Sequence, residues 1–263
     1  MADKPAAEVD ITEDLVRALL REQHPGPADL PLELVAEGWD NAMWRLGEHL
    51  VVRLPRRELA AGLIANEQRW LPLLAPQLPA AVPVPVHEGA PALGYPWRWS
   101  VLPWFTGRHA IELARKDTSA LVAPLGRFLA ELHRPAPPDA PRNPFRGVPL
   151  AARDEILRGR LLALPSRVQP RAEAVWADAL AAPPWDRAPV WLHGDLHPGN
   201  IVVGDDVSLA AVVDFGDLCS GDPAVDLAVA WYLFDTPGRE HLISLVSAEH
   251  PGADVALWRR ARG

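Results

Sequence analysis

The stretch Trp191-Leu192-His193-Gly194-Asp195-Leu196-His197-Pro198-Gly199-Asn200 carries a carboxylate and, five residues later, a side-chain amide. An apolar run follows and ends in Asp214-Phe215-Gly216-Asp217. Moving a phosphoryl group needs little covalent help from a protein. It needs a carboxylate to receive a hydroxyl proton, a divalent metal to gather phosphate oxygens, and side chains to hold that metal. A loop with Asp195 and Asn200 at this spacing lets one side chain face an acceptor while the other reaches the metal, and Asp214 supplies the charged ligand. Each residue alone would serve as a cap or a turn former; the three in this order point to phosphoryl transfer.

These residues need elements to hold them. Short strands expected over Asn200 to Val203 and Leu209 to Asp214 flank the Gly204-Asp205-Asp206 turn. Upstream, Leu121, Leu125, Phe128, Leu129 and Leu132 predict a helix from Ser119 to His133, with Pro124 near its start. Residues 134–149 read as a surface loop, and helical stretches follow near 150–164 and 170–182. Downstream, Asp222 as N-cap and Pro223 at the first helical position open a helix carrying Val225, Leu227, Val229, Ala230 and Leu233. The last segment, Asp254 to Gly263, stops while a helical pattern is still running, as a truncated C-terminus would.

The first hundred residues are patterned differently. Thr12 caps an amphipathic helix with Leu15, Val16, Leu19 and Leu20, a helical flap ending near His24-Pro25-Gly26-Pro27. Three strands are predicted at Leu32 to Glu37, Asn41 to Leu46 and His49 to Leu54, forming an antiparallel meander. A helix from Arg57 to Leu74 follows, with Leu59, Leu63, Trp70, Leu71 and Leu74 as its apolar face. Strands at Val82 to His87 and Trp97 to Phe105 come next, and Thr106-Gly107 breaks the pattern. The expected division is therefore 1–105 and 106–263.

His193-x-Asp195-x-x-x-x-Asn200, Asp214-Phe215-Gly216-Asp217 and Gly221-Asp222-Pro223-Ala224-Val225-Asp226-Leu227-Ala228 together resemble the signature of aminoglycoside phosphotransferase-like enzymes. The resemblance spans nearly the whole chain. It implies an α+β, protein-kinase-like, two-lobed fold: a small antiparallel β-sheet lobe for nucleotide, a larger mostly helical lobe, and a cleft between them. It also implies that Asp195 is the catalytic base and that Asn200 and Asp214 bind magnesium, with ATP or GTP as donor and a small-molecule hydroxyl as acceptor. His193 is expected to orient the catalytic loop, with His197 assisting or exposed. Asp217 is expected to support metal or substrate, and Asp222 and Asp226 to cap a helix and tie it to that loop.

In the first lobe the resemblance calls for a phosphate clamp. Kinase-like enzymes place a lysine on the third strand, yet the two lysines here are Lys4 and Lys116; Arg53 takes that position. Arginine keeps the charge and grips oxygens in a fork. Glu67, four residues from both Leu63 and Leu71, would be a carboxylate on an apolar stripe, which needs a partner; Arg53 is the candidate. Gly38-Trp39-Asp40-Asn41 aligns with the nucleotide loop, though a plain hairpin turn fits as well. Leu102 to Gly107 aligns with the inter-lobe hinge, where the Pro103 carbonyl and the Phe105 amide would face the nucleobase. An aminosugar acceptor would call for carboxylates nearby, with candidates at Asp235, Glu240 and Glu249.

Composition fits these expectations and excludes others. The chain has 263 residues, 49% hydrophobic and 23% charged, which is globular usage. A net charge of -8 offers no basic face for nucleic acid or an anionic membrane. One cysteine, Cys219, rules out an internal disulfide framework. Met1 to Lys4 lead into no apolar segment, and no run approaches about 18 apolar residues, so a cytoplasmic location is expected. Two other readings remain at this point: a nucleotide-binding pseudo-kinase without turnover, and a zinc-dependent hydrolase using His193, Asp195 and His197 as ligands.

Overall fold

The computed structural model describes residues 5–249 and 252–263; the N-terminal Met1 to Lys4 segment read above lies outside the described residues. The chain divides into two compact units, the first comprising the residues up to Pro76 with Val82–Thr106, the second Gln77–Ala81 with Gly107–Gly263.

The first unit opens with α1 (Glu13–Gln23), whose Thr12 side chain accepts from the Leu15 N–H. Strands β1 (Leu32–Glu37), β2 (Asn41–Leu46) and β3 (Leu50–Pro55) lead to α2 (Glu58–Leu74), then β4 (His87–Gly89) and β5 (Trp99–Pro103). They form one antiparallel sheet in the order β1-β2-β3-β5-β4. Alternation along the strands sorts the two faces. Ala42, Trp44, Leu46, Val52, Leu54, Trp99 and Val101 form a core with Val16, Leu19 and Leu20 of α1. Arg53 points to the opposite face, and the register sets it beside Met43 and Ser100. There α2 covers it, and Gln68 Nε2 donates to the Trp99 carbonyl (2.8 Å) and Ser100 Oγ (3.1 Å).

Two local expectations are corrected here. The strand expected over Val82 to His87 begins only at His87, because Pro83 and Pro85 have no N–H for a ladder. In α2 the expected Trp70 and Leu71 are buried together with Ala60, Ile64, Glu67 and Gln68, Leu63 and Leu74 are half-buried, and Leu59 is 79% exposed. The expected face therefore departs at Leu59, in the first turn, and it is widened by Glu67, which meets Arg53 of β3.

The second unit holds β6 (Arg108–His109), α3 (Val122–Leu132), α4 (Asp154–Leu162), α5 (Gln169–Leu180), β7 (Val190–Leu192), β8 (Ile201–Val203), β9 (Leu209–Val212), β10 (Cys219–Gly221), α6 (Ala224–Leu227), α7 (Val229–Leu233), α8 (Thr236–Glu249) and α9 (Val255–Arg262). A three-stranded sheet runs β6-β8-β9, and β7 pairs with β10. The single helix expected after Asp222 is split into α6 and α7. Asp222 Oδ1 still accepts from the Ala224 N–H at 3.0 Å, and its carboxylate binds Arg260 of α9 at 2.7 Å. Among the described residues no helix is long and apolar enough to cross a membrane.

In the first unit, packing leaves no room at Gly89. A Cβ there would lie 1.9 Å from the ring of Trp99, itself fully buried. Gly89→Ala is expected to cost about 1–3 kcal/mol through overpacking, read as a lower urea midpoint at unchanged slope.

Candidate active site

The β8–β9 hairpin sets the geometry. Its register pairs Ile201 with Val212, so Asn200 and Val213 face each other just beyond the ladder, with Asp214 next in line. Val213 is then clamped twice: its N–H donates to the Asn200 carbonyl (2.9 Å), and its carbonyl accepts from His193 Nε2 (2.9 Å). The loop carrying Asp195 and Asn200 is thereby stitched to the strand end carrying Asp214.

His193 is fully buried and uses both ring nitrogens. Nδ1 accepts from the Asp195 N–H at 3.2 Å, which fixes the proton on Nε2. Its ring packs at 4.5 Å on Phe215, which anchors the Asp214-Phe215-Gly216 turn in the interior. Asp214 itself is exposed and takes a left-handed backbone conformation (φ 61, ψ 66), a strain that aspartate tolerates better than most residues. The amide nitrogen of Asn200 donates to the Asp195 carbonyl (3.0 Å). That bond orients the buried side chain, with no hydrogen bond to its Oδ1 among the described residues. Asn200 and Asp214 thus offer oxygens from adjacent positions, a donor set for a hard divalent cation.

The loop is held from below by a carboxylate that sequence reading left in a supporting role. Asp226, fully buried, accepts from His193 N–H (2.8 Å), Gly194 N–H (2.9 Å) and His133 Nε2 (3.1 Å). Burial pushes its pKa up, but His133, His193 and the Gly194 amide outweigh burial and hold it below the usual carboxylate range. Gly194 is required where it stands: its φ is +86°, and a Cβ would lie 2.3 Å from the Asp217 carbonyl oxygen.

Residues 134–149, expected as a surface loop, lack regular structure but are pinned to the site. Ser220 N–H donates to Pro141 O (2.8 Å) and Asp222 N–H to Gly147 O (3.0 Å). The loop thereby delivers Arg146, whose Nη2 meets Asp195 Oδ1 at 2.7 Å and whose Nε meets Asp217 Oδ2 at 3.0 Å. Asn143 Nδ2 takes the other Asp217 oxygen at 2.7 Å. Burial of the guanidinium pulls its pKa down, but the charges of Asp195 and Asp217 and the hydrogen bond to Asp217 outweigh burial and raise it above the usual arginine value. Sequence reading missed Arg146 and Asn143; a polar, proline-rich loop has no periodicity to flag them. His197 caps the turn after the loop by accepting from the Gly199 N–H (3.0 Å), and its Nε2 lies 3.7 Å from Asp195 Oδ2.

In the first unit Arg53 and Glu67 are 4% and 3% exposed and bond at 2.8 Å. With its amide oxygen toward the guanidinium, Asn41 accepts from Arg53 Nη2 and Nε at 3.0 and 3.1 Å. Gly38 to Asn41 form a hairpin turn closed by Gly38 N–H to Asn41 O at 2.8 Å. Pro103 ends β5 beside Leu50, and Phe105 follows in irregular backbone with no hydrogen bond to its N–H among the described residues.

The zinc reading fails on these bonds. Both nitrogens of His193 are committed within the protein, as is Nδ1 of His197. Among the described residues no group of three or more His, Cys, Asp and Glu could hold a metal ion.

Replacing Asp226 with Asn puts an amide N–H against backbone donors and is expected to cost about 3 kcal/mol at neutral pH. Because the folded pKa is depressed, the native carboxylate stabilises above the unfolded value of about 4 and loses its effect as pH falls through the folded one. The gap in unfolding free energy between Asp226→Asn and native protein should be constant from about pH 6 to 8 and close on acidification.

The phosphotransferase enzyme family model matches residues 31–263. A comparison with curated proteins found no match. Among solved structures, the GDP and kanamycin complex of APH(2")-IIia is similar with a TM-score of 0.73 at 19% identity, covering 94% of this chain and 86% of that one. Macrolide 2'-phosphotransferase MphH from Brachybacterium faecium gives 0.68 at 24% identity over 94% and 86%. Macrolide 2'-phosphotransferase type I gives 0.63 at 20% identity over 97% and 90%. These likenesses show the kinase-like α+β fold, and the family match over most of its length means that the chain belongs to the phosphotransferase enzyme family.

Proposed function

We propose that the chain transfers the terminal phosphate of ATP or GTP to a hydroxyl of a small molecule, with Asp195 as general base. The observation that carries this reading is the double clamp on Val213, which joins Asp195, Asn200 and Asp214 into one rigid set. Membership of the family supports phosphotransfer, and the GDP in the APH(2")-IIia complex supports a nucleotide donor.

In the proposed reaction the acceptor oxygen bonds to the terminal phosphorus as the bond to the nucleoside diphosphate breaks, and the hydroxyl proton passes to Asp195 Oδ2. Arg146 holds the other oxygen, Oδ1, at 2.7 Å. It is a positioning residue, because it also grips Asp217 and so sets the direction in which Oδ2 points. Asn200 Oδ1 and Asp214 would hold magnesium, which when bound neutralises phosphate charge. Arg53, locked by Glu67 and Asn41, is assigned to the nucleotide phosphates, and the Pro103 carbonyl and Phe105 amide to the base.

Asp195→Asn should lower acceptor-stimulated nucleotide consumption about 10²- to 10⁴-fold and leave the nucleotide Kd unchanged, whereas Asp214→Ala should weaken magnesium-dependent nucleotide binding. Measuring turnover and Kd on both variants separates the roles. Native protein that binds nucleotide but shows no Asp195-dependent transfer to any acceptor would favour a pseudo-kinase.

Arg146→Ala should reduce kcat about 10- to 100-fold through misplacement of the base with nucleotide affinity retained. Arg146→Lys should recover only part of it, since an ammonium cannot span two carboxylates as a guanidinium does. Equal kcat in all three proteins would remove the positioning role.

A further inference from the structure

Beside the proposed base, wholly within the second unit, lies a cavity of about 500 Å³ lined by Ala110, Ile111, Leu113, Arg115, Pro198, His197, Tyr232 and Leu233. That volume is in the range of small-molecule sites, which are mostly apolar with a few polar groups. His197 ties it to the chemistry, since its Nε2 is 3.7 Å from Asp195 Oδ2. Ile111 and Tyr232 are 66% and 54% exposed, an uncovered apolar surface at the mouth of a site.

Its charge is distinctive. No carboxylate lines it, and Arg115 has no ion-pair partner among the described residues. Two acidic side chains near it in sequence are used elsewhere. Glu112 turns back to accept from the His109 N–H (2.9 Å), and Asp235 accepts from the Gly238 N–H (3.0 Å) at the start of α8. Glu240 and Glu249, expected as acceptor-side carboxylates, do not reach it. A molecule with clustered ammonium groups would lose hydration there, meet an unpaired cation and find one carboxylate, Asp195, for its several charges.

Resting on the phosphotransfer reading, we infer that this cavity receives the acceptor and selects an apolar-bodied alcohol lacking clustered ammonium groups. The body packs on Ile111, Leu113 and Tyr232, and the hydroxyl reaches Asp195 past His197.

The test uses the full chain with Mg-ATP and Mg-GTP and three probes: kanamycin, the hydroxylated steroid cholate, and erythromycin, an apolar macrocycle with one amine. Calorimetric Kd and acceptor-stimulated turnover are measured for each. At least one apolar probe should bind tenfold or more tighter than kanamycin. Ile111→Glu, which adds the missing carboxylate, should lower that preference tenfold or more; a ratio is insensitive to loss of folded protein. Preference for kanamycin, a ratio unmoved by Ile111→Glu, or no probe bound while nucleotide still binds would overturn the inference and leave phosphotransfer standing. Absence of magnesium-dependent nucleotide binding would instead defeat the phosphotransfer reading.

Discussion

The candidate site depends on one buried carboxylate. Asp226 has no access to water, and it is kept charged there by three donors from two separate stretches of chain. An ionised group so placed is costly unless every oxygen is bonded. The segments that bring those donors cannot move independently without exposing that cost. Two of the donors are consecutive backbone amides of the loop before Asp195. The demand for saturation at Asp226 therefore becomes a constraint on where Asp195 can be. Gly194 completes the arrangement, because only a residue without Cβ can turn there against Asp217.

The first unit contains the same device in miniature. Arg53 is buried in the sheet face under α2 with Glu67 and Asn41 around its guanidinium. Replacing Glu67 by an apolar residue would strand the Arg53 charge in the interior, and replacing Asn41 would leave two of its donors unbonded, so the cation is fixed in place. Its rigidity comes from the register of β3 against β2 and β5, which puts Arg53 between Met43 and Ser100 on the face that α2 covers.

What could be read from sequence follows from how local each signal is. The Asp195–Asn200 spacing and the strand ending in Asp214 lie within one short stretch, so order along the chain carried most of their arrangement. Thr12 as a cap and the strands β1 to β3 were likewise legible from neighbouring residues. The Arg53–Glu67 pair was legible too, because a carboxylate between Leu63 and Leu71 on a helix needs a partner and Arg53 was the cation on the neighbouring strand; the exposure of Leu59 at the first turn of α2 was not. Arg146 was invisible as well. Its position is set by backbone bonds from Pro141 and Gly147 to Ser220 and Asp222, long-range contacts that leave no trace in the periodicity of residues 134–149. The prolines Pro83 and Pro85 show the opposite case: a local rule sufficient to shorten β4, given too little weight against an apolar run.

Carboxylates in the second unit separate by exposure and by bonding. Asp226 and Asp222 are buried and bonded on both oxygens, to His133 and the loop amides in one case and to Arg260 and the Ala224 amide in the other. Asp195 is more than a third exposed, with Oδ1 on Arg146 and Oδ2 toward His197 at a distance too long for a hydrogen bond. A base must offer one oxygen that is oriented yet unsaturated, and a structural anchor must offer none. Arg146 meets both demands at Asp195 by holding one carboxylate oxygen and leaving the other without a hydrogen bond, the state the proposed base requires.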